Sequence, residues 1–223
     1  GSIGPTSKSL TLAPDIARPA ERPYSFDEMA ASYREQVDAL IEGGVDLLLI
    51  ETAFDALNVK AALYAVETRF LYSALNDKEG GSARNDKNET ARNDKEPFPV
   101  IVSVSVGDKS GRTLTGQTLE AFYTAVRHYP LTAFGVNCSL GADGLLPLVK
   151  DIVSFSDVPV ICYPNAGLPN ELGGYDQTPA QMAAEMARFD GLLNIAGGCC
   201  GTTPEHIKAI PALSPAPFKK PHK

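Results

Sequence analysis

Apolar residues along this chain fall into two alternating spacings. Between residues 26 and 43 they occupy Met29, Tyr33, Val37, Leu40 and Ile41, three or four apart, which gathers them on one face of a helix. Ser25 and Glu28 stand at the start of that run in the order of a capping box, and Gly43-Gly44 ends it. Val45-Asp46-Leu47-Leu48-Leu49-Ile50 follows as a nearly continuous apolar run, the pattern of a strand buried on both faces.

The same unit then repeats. Helices are expected at 56–75, 118–128, 145–154 and 179–189, with a last one starting at Thr203-Pro204; strands are expected at 100–106, 133–137, 158–162 and 192–196. Short apolar strands alternating with amphipathic helices specify parallel βαβ units, which favours an α/β fold of the (βα)8 TIM-type barrel class over an open doubly wound sheet. Five full strands are counted, and Gly1 to Pro5 reads as the tail of a sixth. The barrel is therefore expected to lack its first two strands in this chain. Exposed strand edges would then favour self-association.

Two segments break the rhythm. Residues 76–96 are polar, with Asn-Asp-Lys at 76, 85 and 93, and read as a solvated surface insertion. Residues 211–223 hold four prolines and three lysines among thirteen positions and read as a linker toward a following domain. Residues 1–210 are left as one partial barrel.

Composition narrows the functional classes. With 43% hydrophobic and 21% charged residues, the 223-residue chain can bury a substantial core. A formal charge of -7 gives no footprint for nucleic acid or an anionic membrane surface. No apolar run reaches the roughly 18 residues of a membrane span, and the first residues lack the pattern of a signal peptide, so a cytoplasmic setting is expected. Four cysteines, two of them adjacent, suit metal binding or catalysis in that setting better than a disulfide scaffold.

Cys138 follows the strand expected at 133–137, and Cys199-Cys200 follow the last strand inside Gly-Gly-Cys-Cys-Gly. All three thus fall at strand carboxyl ends, where parallel barrels build their sites. Flanking glycines free the backbone to aim two consecutive sulfurs at one centre. Three thiolates around Zn²⁺ leave one tetrahedral position open, the pattern of a catalytic zinc. Cys162 lies within an apolar strand and reads as core packing.

Gly135-Val136-Asn137-Cys138 and Gly197-Gly198-Cys199-Cys200-Gly201-Thr202-Thr203-Pro204-Glu205-His206 resemble the homocysteine methyltransferase family. Within it, Gly1 to Pro5, Glu51 to Asp55, Ser110 to Gln117 and Pro164 to Asn170 are similar to its cobalamin-dependent methionine synthase branch. The resemblance implies a zinc-dependent methyltransferase in which Cys138, Cys199 and Cys200 hold the metal and homocysteine is the substrate. It further implies that Glu51 helps hold the homocysteine amino group and that Asn165 lies beside the metal, as a candidate fourth ligand. Methylcobalamin would be carried on another module, with folate- and cobalamin-binding modules as partners, and the chain by itself would be inactive. Tyr163 departs from the family, in which His is common at that position. Betaine or S-methylmethionine as methyl donor, a noncatalytic zinc-binding module, and a redox dithiol at Cys199-Cys200 are the alternatives.

Overall fold

A computed structural model describes residues 1–78 and 97–217. Its elements follow the expected alternation: β1 (Ser2–Ile3), α1 (Phe26–Glu42), β2 (Leu48–Ala53), α2 (Ala56–Lys78), β3 (Val100–Val104), α3 (Leu119–Val126), β4 (Ala133–Gly141), α4 (Ala142–Phe155), β5 (Val160–Asn165), α5 (Pro179–Met186), β6 (Ile195–Ala196) and α6 (Pro204–Ala209). The capping box of α1 is formed, with Ser25 and Glu28 each satisfying the other's backbone N–H, and Met29, Tyr33 and Val37 are buried.

The strands form one parallel sheet in the order β1-β2-β3-β4-β5-β6. A doubly wound sheet reverses its strand order and carries helices on both faces. Here the order never reverses, and the side chains divide into two layers. Leu48, Ile50, Val100, Val102, Val104, Phe134, Val136, Val160 and Cys162 share a large cluster with the helices, whereas Ile101, Ala133, Ile161 and Tyr163 form a small one with Leu49 and Cys199 against it. One face therefore takes the helix packing and the other, the inner face, carries a small apolar layer, as the strands of a TIM-like barrel do. Among the described residues no pairing of β6 with β1 closes the ring.

The outcome corrects three expectations. The apolar run at 45–50 is not a strand throughout: β2 starts at Leu48 and runs on to Ala53, with burial alternating because the lumen face is thinly covered. Strand β5 likewise starts later than the expected 158–162 and runs on to end at Asn165. The segment read as a linker begins as part of the body. There the Ser214 N–H donates to Asp190 Oδ1 at 2.6 Å, the Ala216 N–H to Leu193 O at 3.1 Å, and Pro215 bridges Leu193. Helix α2 extends through Lys78, and the rest of the expected insertion, 79–96, lies outside the described residues, as do 218–223.

Candidate metal centre

Two strands become irregular at their carboxyl ends, and the site is built there. In β4 the register shifts between Asn137 and Gly141, and Cys138 and Ser139 have φ of 59° and 61°. Left-handed backbone is uncommon for residues other than glycine and costs free energy that surrounding structure must offset. A regular strand would send Cys138 to the helix face, opposite Asn137; the left-handed turn breaks that alternation. Cys138 thus lies within β4 rather than after it. Strand β2 does the same at its own end, shifting register between Ile50 and Ala53 with Thr52 at φ 55°.

Asn137 ties the two irregularities together. Its Oδ1 accepts from the Thr52 N–H at 3.0 Å and the Ser103 hydroxyl at 2.7 Å. Its Nδ2 donates to Thr52 Oγ1 at 2.9 Å and toward Cys199 Sγ at 3.8 Å. The side chain is fully buried, so the network is shielded from competing water.

The Gly-Gly-Cys-Cys-Gly loop is strapped onto the end of β5. The Cys199 N–H donates to Pro164 O at 2.8 Å, the Ala166 N–H to Cys200 O at 2.9 Å, and the Cys200 N–H to Asn165 Oδ1 at 3.1 Å. Gly201 has φ 77°, and a Cβ there would lie 2.3 Å from Tyr175 Cβ. Only glycine satisfies both demands. Helix α6 anchors the far side of the loop through His206, whose Nδ1 accepts from the Thr203 N–H at 3.1 Å while Nε2 donates to Gln177 O at 2.8 Å.

These supports bring the three expected sulfurs together. Cys138 and Cys200 Sγ are 3.7 Å apart, Cys199 and Cys200 Sγ 3.9 Å, and all three lie within 4.8 Å of one another. A tetrahedral zinc with Zn–S bonds of about 2.3 Å sets its sulfurs about 3.8 Å apart, whereas a disulfide needs about 2.05 Å. All four cysteines are free thiols. Burial, followed by the nearby Cys138 sulfur, pushes the Cys199 thiol up to about 12, against the opposing pull of the Asn137 amide. Sulfurs that oppose each other's ionisation at this spacing suit a bound dication, which deprotonates coordinating thiols. The donor set therefore fits zinc.

Glu51 sits within the β2 irregularity, one residue before the left-handed Thr52, half-buried, and its Oε1 accepts from the Ser2 hydroxyl. Asn165 is buried at the cysteine loop and uses its Oδ1 on the Cys200 amide. Cys162 is fully buried on the helix side of the sheet, and burial raises its thiol pKa. It stands apart from the trio, as its apolar strand implies. A cavity of about 480 Å³ lies at the opposite, strand-amino end, lined by Tyr123, Arg127, Leu131 and Asp157 among others. It includes none of the cysteines.

The sequence reading did not single out Asn137, Thr52 and Ser103 as supports, nor Tyr163 and Tyr175 as neighbours of the sulfurs. Two signals were available: a polar Asn ending an apolar strand beside Cys138, and a Ser inside Val-Ile-Val-Ser-Val. Buried polar residues at strand ends must find partners.

The homocysteine S-methyltransferase family model matches residues 1–213. Among solved structures, the chain is similar to the homocysteine methyltransferase MmuM from Escherichia coli. The apo form is 23% identical, with a TM-score of 0.58 over 94% of this chain and 60% of that one. The metallated form is 22% identical, with a TM-score of 0.58 over 85% and 52%. The oxidized form is 21% identical, with a TM-score of 0.60 over 86% and 53%. The chain thus spans between about half and three-fifths of those structures, and at these identities the likeness shows the fold.

Proposed function

Because the chain belongs to the homocysteine S-methyltransferase family, we propose that Cys138, Cys199 and Cys200 hold Zn²⁺ and present it to the sulfur of homocysteine for methylation. The observation that carries this reading is the sulfur spacing, 3.7 and 3.9 Å along two edges of the trio, close to the edge of a zinc tetrahedron. A free alkyl thiol has a pKa near 8.5 and is mostly protonated at neutral pH. Bound zinc supplies the charge that keeps the substrate sulfur deprotonated, with three protein thiolates leaving one position for it.

The remaining roles fall to the chain. Asn137 holds Cys199 by donating to its sulfur, and Asn165 holds Cys200 through its backbone amide. That use of Asn165 Oδ1 favours a positioning role over the fourth-ligand role implied by the resemblance. Glu51, on the lumen side of β2, takes the ammonium of the substrate. The methyl donor is methylcobalamin, presented by a cobalamin-binding module alongside a folate-binding one; Pro164-Asn165-Ala166-Gly167-Leu168-Pro169-Asn170 supports this branch over betaine or S-methylmethionine.

Zinc analysis of Cys199→Ala tests the metal half of the reading. The variant is expected to lose bound zinc and zinc-dependent alkylation of homocysteine, and retention of both would refute the assignment. An assay of the full-length protein with methylcobalamin, betaine and S-methylmethionine tests the donor. Methylation from methylcobalamin alone is expected; turnover with either other donor and none with methylcobalamin would reassign the branch.

A further inference from the structure

Tyr163 carries a buried polar atom that the metal centre does not use. It stands in β5 in register with Asn137 of β4, and its ring packs in the lumen with Ile101, Ala133 and Ile161, against Cys199. The residue is 7% exposed. Its Oη is buried and makes no hydrogen bond of acceptable geometry, although the Ser103 hydroxyl and the Glu51 carboxylate lie close enough to act on it. A buried hydroxyl without a partner is destabilising, and a native structure that keeps one calls for an explanation.

Both neighbours are already engaged. Ser103 gives its proton to Asn137 Oδ1, and Glu51 Oε1 accepts from Ser2. Glu51 still has acceptor capacity, since a carboxylate can take about four hydrogen bonds. A substrate ammonium arriving from the open side would draw the carboxylate into one orientation, and the phenol is placed to donate from the interior side. Such a charge-assisted bond is stronger than a neutral one.

We propose that Tyr163 is a positioning residue that orients Glu51 for the ammonium of homocysteine. This rests on the zinc–homocysteine reading of the site. In this role the phenol acts through Glu51 and not on the reacting sulfur or the methyl group.

The test is calorimetric titration of the zinc-loaded chain with three thiols. These are homocysteine, 3-aminopropanethiol, which lacks the carboxylate, and 4-mercaptobutyrate, which lacks the ammonium. Tyr163→Phe keeps the packed ring, and zinc stoichiometry and a thermal melt check that the variant folds and loads metal. The variant is expected to bind homocysteine and 3-aminopropanethiol about tenfold more weakly and 4-mercaptobutyrate unchanged. Glu51→Gln is expected to show the same selectivity, and adding Tyr163→Phe to it should cost little more, because the two act as one unit. Equal weakening of all three thiols, no weakening, or full additivity with Glu51→Gln would overturn the proposal alone. A wild-type chain that takes up zinc but no thiol would overturn the reading beneath it, and the proposal with it.

Discussion

Asn137 uses all of its polar capacity at one point in the molecule: two acceptances at Oδ1 and two donations at Nδ2. Asn137→Ala would leave the Thr52 amide and the Ser103 hydroxyl without their acceptor and Cys199 without its donor. A stability loss of about 1–3 kcal/mol is expected, with zinc affinity reduced about 10- to 100-fold, as for other groups that orient metal ligands. Denaturant melts and chelator competition measure the two, and lost stability with unchanged zinc affinity would remove Asn137 from the site. Cys199 gives a pH dependence. Its folded pKa of about 12 lies above the ordinary 9.0, so as pH rises past 9 the unfolded chain ionises this thiol while the folded chain does not. The metal-free chain should therefore lose stability between about pH 9 and 12, and zinc should remove that loss; melts across the range with and without zinc check it. The three sulfurs were legible in sequence because glycine-flanked cysteines after apolar strands carry a local signal. Asn137 was not, because its partners Thr52 and Ser103 lie 85 and 34 residues away and its use of them depends on two strand irregularities.

At the scale of elements, β2, β4 and β5 run further toward their carboxyl ends than hydropathy marks. Their buried middles are apolar, whereas their ends carry Glu51, Thr52, Asn137, Cys138 and Asn165, so an apolar run stops where the site begins. The segment between β1 and α1 shows a related limit. Asp55, at the start of α2, accepts from the Ser9 hydroxyl at 2.5 Å and from the Thr11 amide and hydroxyl at 3.0 and 2.7 Å, pinning that segment to the barrel. Burial opposes the charge on Asp55, yet these bonds outweigh it and hold the carboxyl below its ordinary value. Its contribution is complete above the unfolded value of 3.8 and is lost as pH falls through the lower folded one. Asp55→Ala should cost about 1–3 kcal/mol at neutral pH and shrink the acid-dependent loss of stability below about pH 4. Urea melts at pH 7 and 3 measure both, and an unchanged midpoint at pH 7 would contradict the role. Gly135 shows the opposite case, a local signal with a packing cause: a Cβ there would lie 1.7 Å from Ile161 O, so the first residue of Gly-Val-Asn-Cys is fixed by the approach of β5.

For the whole molecule, the arc presents its helices on one face and its site at one end. The alternation of strands and helices made the parallel α/β order legible, and the unreversed strand order then argued against a doubly wound sheet. Closure could not be read from pattern, since it depends on pairing between strands distant in sequence. Strand β6 is short and exposed at both residues, and the 213–216 segment covers only the residues just before it. Such an edge can pair with another chain, so light scattering of the chain on its own should show association that grows with concentration; a monodisperse monomer would contradict this. The central claim, an open three-sulfur zinc site, is tested most directly by X-ray absorption at the zinc edge before and after homocysteine is added. The account predicts three sulfurs and one lighter ligand before, and four sulfurs after. Four sulfurs before addition, or no gain after it, would contradict it.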